Sequence, residues 1–337
     1  MANVGPSSPR FPGSEPGRDR GQLILVMGVA LALTIVALAL ILNSTIYTEN
    51  LAARDNDVPA TDAIEYRESA REGVAGSIAH VNRHARSETK PNHTAALNDS
   101  IVSWSESTAK FAAVDGRTVN VTLNRSSVVW RTRIGQNAGR DFTSTSGEGV
   151  WTLANETGNI TSFRMNINRS GLDDTNRFGI RFTNSSGRQD VLINNSSDPS
   201  EIIVEGPSGS TCSVESQRAE LDIVAGTILN GTNRTNGTNE TAKNCPALDF
   251  FDSSGNYNVT YGNAAKISGV YELSVEKDRD DLLFDPGDYD GEPDPYASWA
   301  IHNATATVSY QSPSLRYDTN ATVEPHEPET LRPTEAG

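Results

Sequence analysis

The stretch Leu23–Leu42, LILVMGVALALTIVALALIL, constrains this chain more than any other, because it runs twenty residues without a charge. A helix of that length spans roughly 30 Å, the thickness of a bilayer's hydrocarbon core. The pattern predicts a transmembrane helix over 22–42, with the lipid bilayer as its partner through residues 23–42. Arg10, Arg18 and Arg20 precede it, and the first basic residue beyond is Arg54, set among Glu49, Asp55 and Asp57. Basic flanks stay on the cytoplasmic side, so the amino terminus is expected in the cytoplasm and everything after Leu42 outside the cell. The run exceeds the apolar core of a secretory signal, and NSTIYTEN beyond it offers no small-residue cleavage site, so retention in the membrane is expected.

Residues 1–21 are rich in Pro, Gly and Ser and read as a disordered cytoplasmic tail or leader; 325–337, rich in Pro and Glu, read as a disordered tail. Between them, 43–115 read as a helical neck. Asp62 and Glu65 have the spacing of a capping box, followed by an apolar stripe at Tyr66, Ala70, Val74, Ile78, Val81 and Ala85. After Pro91, a further helix carries Leu97, Ile101, Trp104, Thr108 and Phe111 on one face. The two helices read as a packed pair, or as a stalk that lifts the next domain off the membrane.

From 116 to 324 the texture changes to short runs rich in Val, Ile, Thr, Phe and Tyr, separated by Gly, Asn, Asp and Ser. Such runs at 117–124, 127–135, 162–169, 178–184, 190–194, 201–206, 219–229, 257–262, 269–277 and 304–311 predict antiparallel strands. Trp130, Trp151, Phe163, Phe178 and Phe182 are the expected core. The fold class is therefore α+β: an N-terminal transmembrane helix and helical neck, followed by an antiparallel β-sandwich-like extracellular domain.

The net charge of −15, with 23 Arg against 5 Lys, argues against a nucleic-acid partner, which needs a basic stripe. It fits a protein of concentrated salt, or simply an acidic secreted one. Cys212 and Cys245 are the only cysteines; outside the cell they are expected to form one disulfide, the alternative being two buried thiols.

Eighteen of the 28 asparagines begin an Asn-x-Ser/Thr sequon, and all eighteen lie beyond the apolar run. Asn120, Asn155, Asn159, Asn184, Asn230, Asn233, Asn236, Asn239 and Asn303 are the leading candidates for N-glycosylation. The alternative is that Asn, Ser and Thr merely populate turns. Four sequons crowd 230–241, inside the loop between the cysteines, and predict a solvent-exposed excursion.

Asp285, Asp288, Asp290, Glu292 and Asp294 could hold Ca²⁺, although most of an EF-hand pattern is missing and a solvated acidic loop accounts for them better. His80 and His84 lie one helical turn apart without a zincin's glutamate. Ser107 and Lys110 match the Ser-x-x-Lys spacing with no companion motif. No cofactor and no enzymatic activity are expected.

Asp19-Arg20-Gly21-Gln22, leading straight into the apolar run, resembles the class III signal of archaeal type IV pilins. The resemblance implies peptidase cleavage between Gly21 and Gln22. The glutamate and serine usual at the fifth and third mature positions are Val26 and Ile24 here, a departure that minor pilin-like subunits tolerate better than main ones. A plain signal anchor is the other reading. The order of an apolar head, an IYTENLA segment, helices and then FTSTSGEGVWTLAN (142–155) and SFRMNINR resembles a group of uncharacterised haloarchaeal surface proteins. The expected function is a non-enzymatic surface protein, with other pilin-like or surface-layer proteins as candidate partners. The alternative is an anchored ligand-binding or adhesion module.

Overall fold

The computed structural model describes residues 28, 31, 32, 34, 35, 38, 60–84, 89–196, 201–231, 242–289 and 295–325. The chain divides into two units, 1–64 and 65–337. In the first, the described positions between 28 and 38 are helical, and Leu31, Ile35 and Leu38 are exposed. Most of the expected span, and all of 1–21 and 326–337, lie outside the described residues. Among the described residues no helix is long and apolar enough to cross a membrane.

The second unit begins within helix α1 (60–84) and continues through α2 (Lys90–Val114) into fifteen strands. One sheet has nine strands: β1 (Thr118–Leu123), β14 (Tyr296–Gln311), β2 (Val129–Asp141), β13 (Ser268–Val275), β4 (Ile160–Asn168), β9 (Arg218–Asp222), β10 (Thr227–Asn230) and β11 (Lys243–Asn244), in that spatial order, with β15 (Arg316–Val323) also on β14. The other has six: β3 (Trp151–Ala154), β12 (Asn258–Gly262), β5 (Phe178–Asn184), β6 (Gly187–Asn195), β7 (Glu201–Glu205) and β8 (Thr211–Glu215). Every named pairing is antiparallel.

Period-two alternation gives each sheet an apolar face. Phe178, Ile180 and Phe182 on β5 are fully buried and share one core with Phe163, Met165, Tyr271 and Leu273 of the nine-stranded sheet. This is the expected sandwich, and Trp151, Phe163, Phe178 and Phe182 all lie in its core. Trp130 does not; it packs against a second cluster.

That second cluster decides between the two readings of the helices. Ala70, Val74, Ile78 and Val81 of α1, with Leu97 and Ile101 of α2, close over Val121, Ala306, Val308, Ala321 and Val323. The helices are thus laid on one end of the large sheet, over β1, β14 and β15, and are not a stalk standing off from it. The described parts of the stripes, at Ala70, Val74, Ile78 and Val81 and at Leu97 and Ile101, meet this cluster; the surface they cover comes from β1, directly after α2, and from strands some 200 residues further on. Phe111 is an exception to the stripe and is 77 % exposed. The run 219–229, expected as one strand, is two, broken where Asp222 Oδ1 accepts the Ala225 N–H and Gly226 turns with φ +65°.

Three devices fasten the helices. Gly73 allows α2's Trp104 to come so close that a Cβ there would lie 2.3 Å from the indole. The Ser105 hydroxyl accepts the Val121 N–H at 2.9 Å, satisfying an edge group of β1. Near the end of α1, Asn82 pairs its side-chain amide with both the N–H and the C=O of Ile301, at 2.8 and 2.9 Å. The Asn82 carbonyl accepts Arg133 Nη1 at 2.6 Å. Arg133 also pairs with Glu272; both side chains are about 5 % exposed. Glu272 lies opposite Arg164, and Arg164 opposite Asp222, to which it is bridged at 2.9 Å. Acid and base therefore alternate across β9, β4, β13 and β2 on the face away from the sandwich core.

Candidate functional site

Two of the three register shifts in the large sheet lie at one cleft. In β14 the register with β2 shifts between Ile301 and Asn303, leaving His302 without a cross-strand partner. Between β13 and β4 it shifts between Ser274 and Val275, leaving Thr161 extra. A bulge turns its extra side chain away from the regular pleat. His302 and Thr161 both line one cleft, together with Arg131, Glu276, Ser253 and Ser254, in a cavity of about 360 Å³.

Polar contacts run through this cleft, beside the apolar Ile160 and Val224. Arg131 Nη1 lies 3.4 Å from the Thr161 hydroxyl, which itself donates to the Ser274 carbonyl at 3.2 Å. Asn159 donates from Nδ2 to Glu276 Oε2 at 2.7 Å, and the Glu276 N–H returns a bond to the Asn159 carbonyl at 2.9 Å. His302 Nε2 stands 4.0 Å from Glu276 Oε1. The Ser254 hydroxyl is held by Asp252 at 2.7 Å rather than by an imidazole. The lining offers a guanidinium, the two carboxylates of Glu276 and Glu324, an imidazole and hydroxyls within a volume at the small end of ligand sites. Such a set suits an uncharged ligand carrying both donors and acceptors.

Nothing in the one-dimensional pattern marks Arg131, Glu276 or His302, since a bulge is a mismatch between two strands and leaves no trace in either one. The only signal near the cleft is the sequon Asn159-Ile160-Thr161.

Cys212 and Cys245 form the expected disulfide, with Cα atoms 5.2 Å apart. It joins β8, the last strand of the small sheet, to the residue just past β11, the last strand of the large one. The bond therefore clamps the two layers at one edge of the sandwich.

Among the candidate glycosylation sites, Asn120 is exposed on β1 and Asn159 is exposed beside the cleft. Asn155, Asn184, Asn230 and Asn303 are half-buried, and Asn233, Asn236 and Asn239 lie outside the described residues. Asn184 accepts the Ser186 N–H at 2.9 Å, and Asn124 and Asn168 make the same two-residue closure with Ser126 and Ser170. Those three do take the turn role that competes with the glycan explanation, but each uses only the carbonyl oxygen and leaves the amide nitrogen for other use. Asn230 accepts the Ser216 hydroxyl at 2.6 Å.

Of the acidic loop, Asp285 and Asp288 are described; Asp290, Glu292 and Asp294 are not. Asp285 spends Oδ1 on the Gly287 N–H at 2.9 Å. Asp288 has its carboxyl raised above the usual range by burial and by the charges of Asp285 and Glu148. Among the described residues no three His, Cys, Asp or Glu gather closely enough to hold a metal ion. His80 and His84 are exposed on α1, with His84 Nδ1 2.9 Å from the His80 carbonyl. Ser107 donates to the Ser103 carbonyl at 2.8 Å within α2. Gly21 and Gln22 lie outside the described residues.

Residues 17–153 match a family of unknown function, DUF7261. The match runs from just before the apolar stretch through both helices to β3, less than half of the chain. No curated protein and no solved structure matches the chain.

Proposed function

We propose that this is a membrane-anchored, N-glycosylated and non-enzymatic surface protein, held by residues 23–42 with the sandwich outside the cell. The observation that carries the reading is the placement of the sequons. Of the fourteen sequon asparagines among the described residues, Asn194 alone is buried; the rest present at least part of the side chain to solvent. The disulfide is in keeping with an oxidising exterior. The exposed Leu31, Ile35 and Leu38 are in keeping with a helix whose apolar surface meets lipid. Glycopeptide mass spectrometry on protein from its own membranes, with proteolysis of intact cells, tests this. Sugar on several of these asparagines and digestion of the sandwich from outside are expected; bare sequons and a protected domain would overturn it.

Within that reading, a minor pilin-like subunit is the finer assignment, drawn from the Asp19–Gln22 resemblance. Gln22 as the mature amino terminus supports it, and an intact leader leaves a plain signal anchor. The cleft beside His302 favours a second role, a ligand-binding module on the same anchor.

A further inference from the structure

The cleft and the sequon beside it belong to one device. We propose that the cleft seats the first sugar of an N-linked glycan carried by Asn159, an inference that rests on the glycoprotein reading above.

The acceptor is at the mouth of the cavity. Asn159 is exposed, its Nδ2 is directed to Glu276, and Thr161, which completes the sequon, lines the cavity two residues on. Attachment joins Nδ2 to the anomeric carbon of a lipid-phosphate-linked saccharide, with loss of one amide proton and departure of the lipid phosphate. One N–H remains on the substituted amide, enough to keep a bond to Glu276 Oε2. The sugar then extends past hydroxyl and charged groups that match its alternating donors and acceptors, among them Arg131, His302, Ser253 and Ser254. A cavity of about 360 Å³ holds a pyranose ring and leaves the rest of the glycan in solvent. Ile160 and Val224 supply apolar surface for the ring's C–H faces. Among the other described sequons, Asn230 also lines a cavity, of about 640 Å³, with its side-chain carbonyl taken by the Ser216 hydroxyl. Asn320 lies exposed on the outer strand β15, and Asn184 sits at the tip of the β5–β6 hairpin.

The test uses the full chain, made in a secretory eukaryotic host whose glycans are substrates of peptide-N-glycosidase. Site-by-site release is followed by mass spectrometry, first on native and then on denatured protein. Two net hydrogen bonds to the seated sugar slow native release at Asn159 by about tenfold relative to Asn320, with equal rates after denaturation. The S253A/S254A double variant, which removes two exposed hydroxyls and no core contact, narrows that difference while leaving Asn159 occupied. If Asn159 is bare while Asn320 and Asn184 carry sugar, the seat is wrong and the surface-glycoprotein reading stands. Equal native release at Asn159 and Asn320 also overturns the seat. Bare asparagines throughout overturn both.

Discussion

Removing the disulfide by C212A/C245A measures how much of the sandwich depends on the clamp at its edge. The two cysteines are 33 residues apart. In the chain-entropy treatment, freeing a loop of that length costs about 3.7 kcal/mol at 25 °C, from roughly 12.5 cal/mol/K of restored unfolded-chain entropy. A cooperative unit of this size shifts its midpoint by about 2–4 °C per kcal/mol, so Tm is expected to fall by about 7–15 °C. Because the effect lies in the unfolded state, the slope of stability against urea should rise as well, since the unclamped chain exposes more surface. Calorimetry and urea titration of the oxidised protein and the variant, both without reductant, give the two quantities. A fall of less than about 3 °C with an unchanged urea slope would refute the reasoning, showing that the loop is ordered by its sheet contacts before the bond closes it.

The two glycines of α1 should respond in opposite directions. G76A, where an added Cβ meets nothing within 4 Å, should stabilise by about 0.5–1 kcal/mol in a thermal melt. G73A drives a Cβ into Trp104 and should destabilise by about 1–3 kcal/mol despite its better helix propensity. E272A leaves Arg133 buried without its carboxylate and should cost about 3–5 kcal/mol by urea titration, whereas R133M/E272L should cost less than E272A alone; additive losses would deny that the pair acts as a unit. Asp190 has its carboxyl held below the usual range, first by Arg188 and then by Arg181. Its folded pKa is lowered, so its contribution is complete above the unfolded value of about 3.9 and is lost as pH falls through the folded one. D190N should therefore flatten the acid limb of stability below about pH 4, by no more than about 1 kcal/mol since the pair is partly solvated.

Much of the β domain was legible because its strands alternate. FGIRFTN and SFRMNINR each show a buried face that pairing then fills. β8 and β15 were missed for the same physical reason. TCSVE buries only Val214, and RYDTNATV buries Ala321 and Val323 alone, so neither has the contrast that reveals a strand. The helices were legible as helices, since their stripes follow from spacing alone. Their partner was not, because most of it comes from the far end of the chain. Arg133 and Glu272 sit at positions that look like solvent-facing charges, and only the sheet register shows that they neutralise one another. The cleft was the least legible feature, since register slips between separate strands assemble it.

The floor beneath α1 and α2 is built from 118–123 at one end of the domain and 304–323 at the other. Translation at about 5–20 residues per second separates the appearance of the helices from that of β14 and β15 by roughly 10–40 s. Throughout that interval Val74, Ile78, Leu97 and Ile101 have only β1 to close on and lack the larger part of their floor. The helical hairpin must wait, greasy side mostly uncovered, until the last strands leave the ribosome. Trimming those strands would leave a sandwich with an orphaned pair of helices, and the damage from a carboxy-terminal deletion would surface at the opposite end of the chain.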